Sequence, residues 1–114
     1  MTWTREYDAL IARVAEGWEY RDGQPDTCNG HGYWVDSVGD MRGISHYLTD
    51  LAAIARAQEA WRLQDADNRE YTVTVSRHGI LCRMFDVLTC YGFPAATEAA
   101  ARAWATWRAC GGVE

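Results

Sequence analysis

Apolar positions recur along this chain at two spacings, and the switches between them mark out its elements. In residues 4–16, TREYDALIARVAE, Tyr7, Leu10, Ile11 and Val14 fall at i, i+3, i+4 and i+7, one face of a helix. Thr4 stands where it can cap that helix, and Gly17 where a left-handed residue would end it. Trp18 and Tyr20 then alternate with Glu19 and Arg21, as in a short strand. Residues 21–32, RDGQPDTCNGHG, are dense in turn formers and read as a loop. YWVDSV (33–38) predicts a strand and GDMRG (39–43) a turn. A second helix starts at Thr49 or Asp50, with Leu51, Ile54, Ala57 and Trp61 on one face and Ala55 and Gln58 at its border. Its small residues predict close approach to a sheet.

The clearest strand is EYTVTVSR (70–77), with Tyr71, Val73 and Val75 on one side and Thr72, Thr74 and Ser76 on the other. His78-Gly79 turns the chain, and ILCRMFDVL (80–88) pairs back as a hairpin arm. TCYGFP reads as a loop. A last helix covers roughly 95–109, with Thr97 and Glu98 in its first turn, Ala100, Ala103, Trp104 and Trp107 inward, and Gly111-Gly112 ending it. The order, helix, one or two strands, helix, hairpin, helix, predicts an α+β class. About three helices pack on a small antiparallel sheet, in one domain spanning 1–114.

Composition narrows the functional classes. Hydrophobic residues make up 48% and aromatics 12% of 114 residues, enough for a packed core. No run is long enough to span a membrane, and MTWTREYDAL lacks the basic and apolar regions of a signal peptide, so a cytoplasmic protein is expected. The net charge of -5 argues against direct nucleic-acid binding, where a basic surface releases counterions, and suits a basic protein partner. All eleven basic residues are arginine, a bias that reports a GC-rich coding genome better than a binding role.

Three passages carry a likeness: ALIARVAEGWEY (9–20), a helix running into Gly-Trp; HYLTDLAAIARAQEAW (46–61), an aromatic and Thr-Asp opening an alanine-rich helix; and ATEAAARAW (96–104) after the hairpin. In these words and their order the chain resembles the phage ABA-sandwich family of small phage and prophage proteins. It departs from that pattern at Thr97, where the family's last helix usually starts with proline; Pro94 comes three residues earlier. The resemblance implies a fold and a genomic setting, and carries over no catalytic motif. It also implies action by binding host machinery, CRISPR–Cas or other defence complexes included.

Candidate chemistry is thin. Cys28 and His31 give C-x2-H, and Cys82 and Cys90 are seven residues apart, not the paired short spacings of structural zinc. The four cysteines are expected as reduced, largely buried thiols. His31, His46 and His78 with Asp36, Asp40, Asp50 and Asp86 contain no nucleophile in a recognisable elbow. NGHG lacks the phosphate-loop spacing. The expectation is a protein without cofactor, metal or catalytic residues. Interfaces favour Trp, Tyr and Arg, and acids speed encounter with a basic partner. The partner-binding residues expected are therefore Asp22, Asp26, Tyr33, Trp34, Asp36, Asp40 and Tyr91. The partner expected is a host protein met by a monomer or small homo-oligomer. A small metal- or thiol-dependent enzyme and a structural homo-oligomeric phage protein are the alternatives.

Overall fold

The computed structural model describes residues 2–21 and 33–113. Its elements follow the order α1 (Arg5–Val14), β1 (Glu19–Arg21), β2 (Tyr33–Val35), β3 (Met41–Arg42), α2 (Leu51–Leu63), β4 (Glu70–Ser76), β5 (Gly79–Phe85), β6 (Cys90–Ala95) and α3 (Glu98–Ala109). The class is α+β, as the apolar spacing predicts. The strands form two antiparallel three-stranded sheets, β1-β2-β3 and β4-β5-β6, where one was expected.

Both additional strands lie where turn-forming residues mask the pattern. Met41–Arg42 pairs with β2 because the reversal is already complete at Asp40. Gly39 N–H bonds Asp36 O at 3.0 Å, and Gly39 has φ 94°, which glycine adopts without strain. Cys90–Ala95 was expected as a loop. It is β6, an edge strand, the one place in a sheet where Pro94 and Gly92 are tolerated. Its alternation is plain once placed: Tyr91, Phe93 and Ala95 are half-buried, and Cys90, Gly92 and Pro94 exposed.

The larger sheet owes its burial to α3, which packs on β5 and β6 and against α1 and α2. Ala99, Ala101, Ala103, Ala105, Thr106 and Trp107 of α3 are all buried, more of the circumference than one inward face. A helix enclosed on several sides must be apolar on several sides. Alanine at those points lets the neighbouring backbones approach. The sequence pattern assigned close approach to α2, whose alanine seam instead lies mainly on α3, touching the sheet at β4. Accordingly Leu51 is 43% exposed, while Gln58 is buried with Ala53, Ile54, Ala57 and Trp61. No helix of the described residues is long and apolar enough to cross a membrane.

Thr4 makes no side-chain capping bond, and of the two residues expected at the start of α2 it is Asp50, not Thr49, that caps. Asp50 accepts from Ala53 N–H and Thr97 from Ala100 N–H. Helix α3 ends in a Schellman motif: Gly112 N–H bonds Trp107 O at 2.9 Å and Gly111 N–H bonds Arg108 O at 3.1 Å, with Gly111 at φ 101°. Gly112 is buried beneath Trp107, and a Cβ there would enter the indole ring. Gly112→Ala is expected to lower unfolding stability by about 1–3 kcal/mol in urea titrations, the usual cost of overpacking. Gly43→Ala, with open space around the glycine, is expected to cost less.

Candidate interaction surface

The small sheet gathers four of the expected contact residues. Strand β2 supplies Tyr33 and Trp34, and the turn into β3 supplies Asp36 and Asp40. Trp34 pairs in register with Tyr20 on one side and Arg42 on the other. Its ring meets that of Tyr20 edge-on at 5.3 Å, and Trp34 packs against the main core. Three large apolar side chains of this sheet and its turn that were not among the expected contact residues are exposed: Tyr20 (52%), beside Trp34, Val38 (78%) in the turn, and Met41 (66%), which pairs with Val35 and so lies on the other face of the sheet from Trp34. The alternation of Tyr20 with Glu19 and Arg21 does not carry over into burial, since all three residues of β1 are exposed.

The two acids differ. Asp36 is held within the turn: Oδ1 accepts from Val38 N–H and Asp40 N–H, and Oδ2 pairs with Arg42 Nε at 2.8 Å. Its carboxylate builds the hairpin and is 8% exposed. Asp40 is exposed. Tyr91 lies apart from this group. It belongs to β6, opposite Met84, in a cleft of about 420 Å³ shared with Phe93 and Arg108. Asp22 and Asp26 lie outside the described residues, as do Cys28 and His31.

What fixes the small sheet to the body is a set of buried bonds around segment 44–47, which leads from β3 to α2. Asp8 on α1 is 1% exposed and accepts from Trp3 Nε1 at 3.0 Å, Tyr47 N–H at 3.0 Å and Arg5 at 2.7 Å. Arg5 also donates to Ile44 O and Ser45 O. Just past the end of α1, Glu16 accepts from the Tyr47 hydroxyl and, at 2.5 Å, from Arg56 Nε on α2. Burial first, then the Glu16 bond, raise the Tyr47 phenol well above its ordinary value. The Glu16 bond likewise raises Arg56. These groups satisfy one another, so the cluster fastens rather than reacts.

The other chemical candidates are dispersed. Asp50 caps α2, and Asp86 pairs with Arg69 at 3.5 Å and accepts from Val87 N–H. His78 occupies the β4–β5 turn and His46 sits beside Arg5. Cys82 is buried facing α3, whereas Cys90 is exposed on the opposite side of the sheet. The pair therefore cannot share one ion. Burial raises the Cys82 thiol and pushes Cys110 up to about 12, opposite to an activated thiolate. A polar cleft of about 620 Å³ opens at the α2–β4 turn. Its Glu59 is already bonded by Arg62 at 2.6 Å and by the Tyr71 hydroxyl at 3.1 Å, and its Arg69 by Trp61 O and Gln64. The chain matches no protein-family model, no curated protein and no solved structure.

Asp8→Ala would strand the buried Tyr47 N–H and the Trp3 indole N–H. Chemical denaturation is expected to show a loss of about 2–4 kcal/mol, against about 1 kcal/mol for Tyr47→Phe. Alkaline pH gives a second check. Tyr47, Cys82 and Cys110 all have folded values above their unfolded ones, so their stabilising contribution is complete at neutral pH. It declines as pH rises past the ordinary thiol value of 9.0, towards the folded value of about 12. Melting temperature is expected to fall across that window, and less steeply in Cys110→Ala.

Proposed function

We propose that this chain is a non-catalytic binding protein of phage or prophage origin that engages a host protein through the β1–β3 sheet. The observation that carries the reading is the exposure of Tyr20, which meets the half-buried Trp34, together with Val38 in the turn and Met41 on β3, in a sheet whose strands pack chiefly on one another. Aromatic and methionine side chains over a fixed base are what interface centres are made of. Exposed Asp40, with the net charge of -5, favours a basic partner surface. The sharper form is inhibition of a defence complex such as CRISPR–Cas, which the resemblance to small phage proteins suggests.

Asp36 drops out of the contact set, since reversing its charge would undo the turn that holds the sheet. The test therefore uses Tyr20→Ala, Met41→Asp and Asp40→Arg. In pull-downs from a bacterial host each is expected to weaken capture of the partner, Tyr20→Ala and Met41→Asp by about 2 kcal/mol, roughly thirtyfold. Capture unchanged by all three would remove the binding role from this sheet. Expression in a CRISPR-immune host is expected to restore phage plating, and no restoration would end the defence-inhibitor form.

A further inference from the structure

The larger sheet has two edges, and they are built differently. Strand β6 carries Gly92 and Pro94, and proline has no N–H to offer a neighbour. Strand β4, EYTVTVS, carries no proline, glycine or basic residue. It runs seven residues in unbroken register with β5, without a bulge. Among the described residues its other edge has no strand beside it, and the backbone of 71–75 bonds nothing except β5. Alternate N–H and C=O groups along it therefore point outward unpaired.

Side-chain cover stops short of this strand as well. Helix α3 packs on β5 and β6, and α2 reaches only part of β4. Tyr71 and Val73 join the core, but Val75, on the same side, is 69% exposed. Natural edge strands are usually blunted, and this one is long, regular and β-branched.

We propose that β4 pairs antiparallel with β4 of a second copy of this chain, joining two three-stranded sheets into one of six. The charges along the strand select a second copy as occupant. Glu70 stands at its start, and Arg77 and His78 follow its end. A twofold axis through Val73, normal to the sheet, sets Glu70 of each copy opposite Ser76 of the other, beside the other's Arg77 and His78. The same register sets Thr72 opposite Thr74, a favourable cross-strand pair, and Tyr71 opposite Val75, covering its exposed side. A parallel pairing would put Glu70 against Glu70 and Arg77 against Arg77. The dimer leaves β1–β3 of both copies free, so it stands whether or not that sheet binds a host protein.

Sedimentation equilibrium of the full chain, from micromolar to near-millimolar concentration, tests the pairing. The wild type is expected to dimerise, and Val75→Lys to remain monomeric with the wild-type circular dichroism spectrum. Glu70→Arg is expected to weaken the dimer at least tenfold, and Glu70→Arg with Arg77→Glu to restore it. Amide exchange at 71–75 is expected to slow as wild-type concentration rises. A wild type monomeric throughout, a dimer undisturbed by Val75→Lys, or a charge swap that restores nothing would each overturn the proposal. Should Val75→Lys fail to fold, the charge-swap pair and the exchange of 71–75 decide it.

Discussion

One buried carboxylate sets the frame of this molecule. Asp8 lies in the first turn of α1, where it receives the indole of Trp3, the guanidinium of Arg5 and the backbone N–H of Tyr47. A carboxylate removed from water is costly unless donors surround it, so its position fixes theirs. Tyr47 stands just after the small sheet and just before α2. Holding its backbone on α1 decides where the sheet leaves the body and where the next helix begins. Glu16, just past the C-terminal end of α1, repeats the device, joining Tyr47 to Arg56 and so the end of α1 to α2.

Polar fastening of this kind complements an alanine-rich core. Alanine brings α3 close to the sheet and to both other helices, but each buries little apolar area, and burial scales with area. The larger contributions come from aromatics around it. Tyr7 stacks on Trp107 at 4.5 Å, Trp3 meets Trp104 edge-on at 5.0 Å, and Phe93 lies over Trp104 at 6.0 Å. Trp3 thus touches the aromatic cluster with its ring and Asp8 with its nitrogen, which couples the two systems.

The helices and the β4–β5 hairpin were legible in the sequence because each is long enough to display its period. Helix α2 was found within a residue, but with Thr49 and Asp50 both offered at its start, only geometry assigns the cap to Asp50. Strand β3 has two residues and displays no period, so it was hidden in a run read as a turn. Strand β6 was hidden by Pro94 and Gly92, which punctuate loops and edge strands alike. Burial around α3 was underestimated because alanine fits any environment, and four alanines at alternate positions trace no single face. The site was legible in part. Tyr33, Trp34, Asp36 and Asp40 do share one hairpin, but only geometry separates an acid that builds a turn from one that faces outward. Asp8 and Glu16 carried no signal at all, since a helical acid reads as a solvated face until a distant Tyr47 is seen against it.

The two sheets occupy opposite ends of this logic. Sheet β4–β6 is load-sharing: Cys82 and Met84 are fully buried under α3, and changing them changes the core. Sheet β1–β3 buries Val35, half-buries Tyr33 and Trp34, and keeps Tyr20 and Met41 outside. Its position depends on the Asp8 and Glu16 bonds to segment 44–47, not on its own surface residues. Val38 and Met41 are exposed and Tyr20 half so, whereas Tyr47 is fully buried. A surface that is rigidly carried and little used for stability is where recognition can be placed at the least cost to folding. That physical separation, more than any one exposed side chain, is why the small sheet is the better home for a binding function than the cleft at the α2–β4 turn, where Glu59 and Arg69 are already bonded by their neighbours.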